Sequence, residues 1–316
     1  MLHKIILICS SISLGCMQIV IRAQSAMEYL MTYGWAILII AVVLGALFEL
    51  GVFSGTFFMP HVPPGSCNVF RPYGPGTLGL INLEGECQGA LPEYTAVFGS
   101  STKILVNFSR YQSLGNYSIT LWVKLRNTIP VGSADFLFSA VNLTNGPAYW
   151  LALGGNNLPY AEYADPNGVV YKRLGSGTIP LNTWEFLSLT WNGSDKALTI
   201  YLNGENVGTN NTLYTAPLKP TAHSAYIGSA NGSAYLGNYI LYGDLADVQL
   251  YNTSLSQNSV SAIYSEGIGG APINLQNIVG WWPLNGNAND YSGNRDDGTA
   301  TNVVYTTDWE SGYTQP

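Results

Sequence analysis

Asn287, Asp290, Asn294, Asp296 and Asp297 fall within one Gly-rich stretch, NGNANDYSGNRDDG. Carboxylates and amide carbonyls on one loop suit a hard cation such as calcium, which is held by oxygen ligands. The spacing is not that of an EF-hand loop, and the same residues equally make a polar turn cluster. Two carboxylate pairs raise a different chemistry, because glycosidic cleavage needs two carboxyl groups flanking the scissile bond. They are Glu84 with Glu86, and Glu162 with Asp165. Neither pair stands at the alternating strand spacing that would aim both groups into one groove, and the second falls in a Tyr-rich stretch read as a loop. His223 has no Ser or Cys nucleophile signature nearby. The expectation is therefore a protein without catalytic residues. Tyr160, Tyr163, Tyr214, Tyr235, Tyr239 and Tyr242 stand in loop-like stretches. Their flat rings suit stacking on a surface glycan, although core packing accounts for some of them.

The elements that must position these residues read as β from about Leu91 onward. Short apolar or alternating runs recur between turn residues, among them SITLWVKLR, DFLFSAV, YWLAL, EFLSLTW, ALTIYLN and LADVQLY. Asn203-Gly204 is a two-residue hairpin signal, and Ser256 is placed to N-cap a short helix. Many short antiparallel strands over residues 91–316 predict a two-sheet jelly-roll sandwich. Before it, residues 54–90 are rich in Pro and Gly and cannot form a long helix. They read as a stiff connector. Cys67 and Cys87 within it form an even pair in an apparently extracellular segment, either a disulfide or two free thiols.

Charged residues make up 10% of the chain and the net charge is −7. No basic patch is available to neutralise phosphates, so nucleic acid is excluded as a partner. N-X-S/T sequons occur at Asn107, Asn116, Asn142, Asn192, Asn210, Asn231 and Asn252. All lie C-terminal to the apolar segment described next, which fits an extracellular location for that part.

Residues 24–53, QSAMEYLMTYGWAILIIAVVLGALFELGVF, carry no charge between Leu30 and Phe48. This predicts a long hydrophobic helix of membrane-spanning length. Residues 1–23 read as a leader peptide, and a start at Met17 gives a seven-residue leader ending at Ala23. A lipoprotein signal at Ser13-Leu14-Gly15-Cys16 is a further alternative. The order Arg22, Ala23, Gln24, Ser25, Glu28, Tyr29, Leu30 and then an apolar helix resembles the archaeal type IV pilin-like proteins with a class III signal peptide. That resemblance implies cleavage between Ala23 and Gln24 by a prepilin peptidase. It also implies membrane insertion before assembly, then a helical homo-oligomeric filament at the cell surface. Glu28, Tyr29 and Leu30 would sit at the assembly interface, with Glu28 pairing the N-terminal amine of a neighbouring subunit. An ordinary single-span anchor is the other reading.

Tyr117–Lys124, Thr183–Leu202 with Asn203-Gly204-Glu205, and Gly243–Tyr264 resemble successive blocks of laminin-G-like, concanavalin A-like modules. Such modules often hold calcium, and on that resemblance Asp247 would join Asp290, Asn294 and Asp297 in a calcium site. Residues 279–300 depart from the family, because a block of this kind normally opens the module and here stands near the end. It either belongs to a second, truncated module or packs back onto the same sandwich; donation to a neighbouring subunit is a third option. Together these readings predict a surface filament subunit displaying a lectin-like sandwich for adhesion, or a monomeric membrane-anchored glycan-binding protein.

Overall fold

Tyr117, Ile119, Leu121, Val123 and Leu125 alternate with Ser118, Thr120, Trp122 and Lys124, and this period of two lays out the central strand of the protein. The first set enters the main core, whereas Trp122 joins a second core on the opposite face. The computed structural model describes residues 31, 33–49, 59–75, 77, 82–84, 90–107, 115–142, 146–164, 170–211, 224–230 and 239–316. It divides into two compact units, Met1–Phe58 and Met59–Pro316.

In the first unit, residues 33–49 are helical (α1). Trp35, Ile37, Leu38, Ile39, Ile40, Val42, Val43, Leu44 and Phe48 are all exposed. Among the described residues no helix is long and apolar enough to cross a membrane. Ala23 and Gln24, expected at a processing site, and Glu28, Tyr29 and Leu30, expected at an assembly interface, lie outside the described residues.

The second unit begins with four short strands of the connector: β1 (His61–Val62), β2 (Asn68–Phe70), β3 (Asn82–Glu84) and β4 (Leu91–Pro92). The sandwich follows with β5 (Thr95–Phe98), β6 (Lys103–Val106), β7 (Tyr117–Leu125), β8 (Ala134–Asn142) and β9 (Gly146–Gly154). Next come β10 (Leu158–Ala164), β11 (Val170–Leu174), β12 (Trp184–Asn192), β13 (Ala197–Leu202) and β14 (Glu205–Asn210). The chain continues through β15 (Ser224–Ile227), β16 (Ser229–Ala230), β17 (Tyr239–Ile240), β18 (Gly243–Tyr251) and helix α2 (Gln257–Glu266). It closes with β19 (Ile278–Trp282), β20 (Gly298–Thr301) and β21 (Val304–Thr306).

Among the described residues the strands make a seven-stranded sheet, β11-β10-β9-β8-β15-β6-β20, and an eight-stranded sheet, β14-β13-β12-β7-β18-β5-β21, with β19 also on β18. The expected turn chemistry is present. Asn203 and Gly204 take φ values of 50° and 82° between β13 and β14, the two left-handed positions of a type I′ hairpin. Ser256 caps α2, its hydroxyl accepting from the Ser259 amide at 3.2 Å. That helix, Trp281 and Trp309 cover the outer face of the eight-stranded sheet, so β7 and β18 are buried along their whole length.

Residues 278–306 return to this same sandwich. β19 pairs β18, β20 takes the edge of the seven-stranded sheet on β6, and β21 takes the edge of the eight-stranded sheet on β5. One C-terminal segment thus supplies a strand to an edge of each sheet, where unpaired backbone would otherwise face solvent.

The connector, expected over 54–90 as a neck, does not stand off the sandwich from Met59 onward. β1 pairs β4, and the Val69 amide donates to the Tyr291 carbonyl at 2.8 Å. The buried Arg71 guanidinium donates to the carbonyls of Ser292 (2.9 Å), Thr77 (2.5 Å) and Ile278 (2.8 Å). Gly293, at φ +83°, leaves room for this approach; a Cβ there would collide with the Val69 carbonyl. Cys67 is disulfide-bonded, and Cys87 lies outside the described residues.

Asp247 occupies a bulge of β18, at φ 50°, and is 2% exposed. Its two oxygens accept from the Trp281 indole N–H and the Gln249 amide, each at 2.8 Å. Tyr251 in turn donates to Gln249. Burial pushes the Asp247 carboxyl up to about 7, against the opposing pull of those two hydrogen bonds.

Two outcomes follow. Arg71→Met is expected to cost about 2–4 kcal/mol, because buried carbonyls lose a charged donor. Calorimetry reads the loss as a lowered Tm, and limited proteolysis reads it as early cutting within residues 59–75. For Asp247 the unfolded chain releases its proton near 3.8 and the folded chain near 7. Stability from this group is therefore full below the lower value and falls as pH rises between the two, by up to about 4 kcal/mol. Asp247→Asn is expected to flatten that slope and to melt above the parent chain at pH 8. Parallel Tm-versus-pH curves for the two chains would contradict this.

Candidate functional site

Cross-strand register assembles a row of side chains on the outer face of the seven-stranded sheet. Glu162 on β10 stands opposite Trp150 on β9, Trp150 opposite Ser139 on β8, Ser139 opposite Tyr226 on β15, and Tyr226 opposite Leu105 on β6. The neighbouring row, Ala161, Leu151, Phe138, Ile227 and Ile104, points the other way into the main core. Strand pleating alone separates the two sets.

The outer row is buried but not plain core. Glu162 is 5% exposed, Trp150 3%, Ser139 0% and Tyr226 8%. Phe136 packs on Trp150 with ring centroids 5.8 Å apart, and on Tyr239 at 5.6 Å. Tyr160 donates its hydroxyl to the Glu162 carboxylate, and Ser139 donates to the Ser229 carbonyl at 2.9 Å. Lys103 lies 5.8 Å over the Tyr226 ring. The buried Trp150 indole N–H has no acceptor among the described residues. A buried donor left in that state costs about 1–3 kcal/mol. Tyr160 and Tyr239 are half-buried at the margin of the cluster.

This arrangement corrects the reading of the Tyr-rich stretch as a loop. Tyr160, Glu162 and Tyr163 all lie on β10. The periodicity was hidden because the strand, LPYAEYA, offers only a small alanine, Ala161, to the main core, while Tyr160 and Glu162 face outward. Tyr239 lies on β17 and Tyr242 is exposed just before β18. Asp165, Tyr214, His223, Tyr235 and Glu86 lie outside the described residues. Trp150, Ser139 and Tyr226 were not singled out from sequence. The strands YWLAL, DFLFSAV and AYIGSA were legible, but only the register places one residue of each side by side.

The calcium expectation fares differently. Asp290, Asn294 and Asp297 do come together, and Trp281 links them to Asp247, but the residues do not fit a cation site. The Asp290 carboxylate accepts from the amides of Trp281 (2.9 Å), Ser292 (2.8 Å) and Asp296 (3.0 Å) and from the Ser292 hydroxyl (2.8 Å). Asn294 donates to the Ile278 and Val279 carbonyls, and Asp297 accepts from the Asp290 amide at 2.9 Å. Both Asp247 oxygens are engaged as described. Burial raises the Asp290 carboxyl, partly offset by these donors. The carboxylate oxygens of Asp247 and Asp290 already accept from protein N–H and O–H groups, and Asp297 alone keeps an oxygen that no described residue engages. Among the described residues no group of three His, Cys, Asp or Glu could hold a metal. The cluster is a hydrogen-bonded knot that fastens β19 to the loop after it.

The sequons are scattered. Asn107 is exposed at the end of β6. Asn116 accepts from the Gly193 amide, and Asn192 shapes its turn by accepting from Ser194 and donating to Asp195. Asn210 lies on β14 and Asn252 follows β18, both half-buried. The Asn142 side chain and all of Asn231 lie outside what is described.

Residues 98–261 match the profile of the concanavalin A-like lectin/glucanases superfamily, in its laminin-G-type branch. Among solved structures, a candidate carbohydrate binding protein from Bacteroides ovatus is similar at 15% identity and a TM-score of 0.54, over 68% of this chain and 60% of that one. The chain thus spans less than two thirds of that relative. A native heptameric SAP-like pentraxin from Limulus polyphemus is similar at 15% identity and a TM-score of 0.49, over 68% of this chain and 94% of that one. The CBM40 module of a Ruminococcus gnavus sialidase is similar at 15% identity and a TM-score of 0.44, over 54% of this chain and 97% of the module. No curated protein sequence matches the chain. The family match covers more than half of the sequence, and the two-sheet topology agrees with it: the chain belongs to the concanavalin A-like lectin/glucanases superfamily.

Proposed function

We propose that this chain is a surface-displayed glycan-binding protein whose apolar N-terminal helix assembles into a filament. The observation that carries the binding half is the Trp150 indole N–H, buried and without an acceptor among the described residues, on a face that also bears Glu162, Tyr160 and Tyr226. A sugar hydroxyl is the right partner for it. The hydroxyl accepts from the indole and donates to the carboxylate, while aromatic rings meet the apolar face of the sugar. The family name and that of the Bacteroides ovatus relative point to the same class of ligand. Binding is favoured over cleavage, because hydrolysis needs two carboxyl groups across the scissile bond. Glu162 is the one carboxylate among the described side chains of this row.

The assembly half rests on α1. Apolar side chains are exposed all round it, which calls for an apolar environment on every side rather than a single buried stripe. Lipid supplies this before assembly and neighbouring copies of the helix supply it afterwards. Glu28, placed before the helix, would then neutralise the new N-terminal ammonium at Gln24. A single membrane-anchored copy is the second reading, favoured by the same exposed apolar surface.

Each half has its own test. Trp150→Phe keeps the ring and removes the N–H, and is expected to weaken retention of the full chain on immobilised laminarin, xyloglucan or galactomannan by about fivefold to tenfold. Unchanged retention would contradict the role of the indole. Glu28→Ala is expected to abolish filaments seen by electron microscopy of sheared surface material while leaving the chain in the membrane. Filaments of normal number would remove the assembly reading.

A further inference from the structure

A second groove, of about 320 Å³, lies away from the sheet face, where the connector meets the loop after β19. Its size falls at the lower end of small-ligand sites, about 300–1,000 Å³. The floor is rigid. Arg71 and Asp290 line it, and the hydrogen bonds given above commit both to holding the backbone. The rim is the opposite. Arg295 is exposed and makes no hydrogen bond or ion pair among the described residues, and its backbone is held left-handed at φ 64°. A non-Gly residue in that region points to a local constraint worth explaining. Among the described residues the side-chain amides of Asn68 and Asn289 are likewise unspent, and Asp297 uses one oxygen and leaves the other free. Phe70, 48% exposed, offers a flat apolar wall.

We infer that this groove binds a neutral saccharide unit, at a site separate from the Trp150 face. Sugar hydroxyls both donate and accept, and the rim supplies both partners. Arg295 and the amide N–H groups donate, while Asp297 and the amide oxygens accept. Phe70 packs against the C–H face of the ring. A carboxylated sugar would gain the Arg295 fork but meet Asp297 two residues away and a chain of net charge −7. The residues that form the groove lie outside the segment matched to the family, so the site belongs to what this chain adds to the common sandwich.

The test is side-chain NMR of the full chain, labelled in Arg, Asn and Trp and held in a detergent without a sugar headgroup. The probes are methyl β-D-glucopyranoside, methyl α-D-mannopyranoside and methyl β-D-galactopyranoside, with sodium glucuronate as the acidic comparison. At least one neutral glycoside is expected to shift the Arg295 Nε–H and the Asn68 and Asn289 side-chain amides. Those shifts should vanish in Phe70→Ala and in Arg295→Ala, while any Trp150 indole response persists. Arg295→Lys, which keeps the charge and loses the fork, should lose most of the effect and guards against a folding defect in the first variant. Shifts confined to Trp150 would overturn the groove and leave the sheet-face reading standing. Larger shifts with glucuronate would overturn the neutral class, and no response at Arg295, Asn68 or Asn289 to any probe would overturn the site.

Discussion

Trp281 is the joint on which the rest of the structure depends. Its amide is held by Asp290, its indole N–H by Asp247, and its carbonyl accepts from the Tyr291 amide at 2.7 Å. Through Tyr291 the same joint receives β2 of the connector, and through Asp290 it fixes the turn that sends the chain on to β20 and β21. Buried carboxylates are costly unless every oxygen is satisfied. Here two of them are satisfied almost wholly by one strand and its following loop. This places the C-terminal segment in one register and delivers β20 and β21 to one edge of each sheet.

The same packing determines what covers each sheet. The eight-stranded sheet is covered outside by α2, Trp281 and Trp309, so it has no open face to offer. The seven-stranded sheet sets a polar and aromatic row on its outer face, in which Glu162 and Trp150 are buried and Tyr160 and Tyr239 stand half-buried at the margin. The joint itself, with its rigid floor, leaves a groove where the connector crosses. Sheet face and groove are separate consequences of the same packing, one made from the common sandwich and the other from the segments added around it.

Much of the fold was legible in the sequence because it rests on short-range signals. The period of two in β7, the Asn203-Gly204 turn and the Ser256 cap each declare themselves within a few residues. The sandwich architecture followed from their number and spacing. The site was less legible because it is a product of long-range register. No local pattern tells that Glu162, Trp150, Ser139 and Tyr226 stand in line, since they come from four strands over more than sixty residues of sequence. The Asp- and Asn-rich loop shows the converse. Its composition suits calcium, yet the same oxygens are the acceptors that buried backbone amides require, and only geometry separates the two uses. The connector read as a neck because Pro and Gly report what a segment cannot do locally; the Arg71 contacts that bind it down lie some two hundred residues apart in the chain.

The claim on which the functional account turns is that the sandwich recognises glycans. It is tested most directly by applying the labelled full chain, shown to be folded by a single cooperative thermal transition, to a broad printed glycan array. The account predicts reproducible binding to a structurally related subset of neutral glycans, competed by the free oligosaccharide. A folded chain that leaves the whole array blank would contradict it.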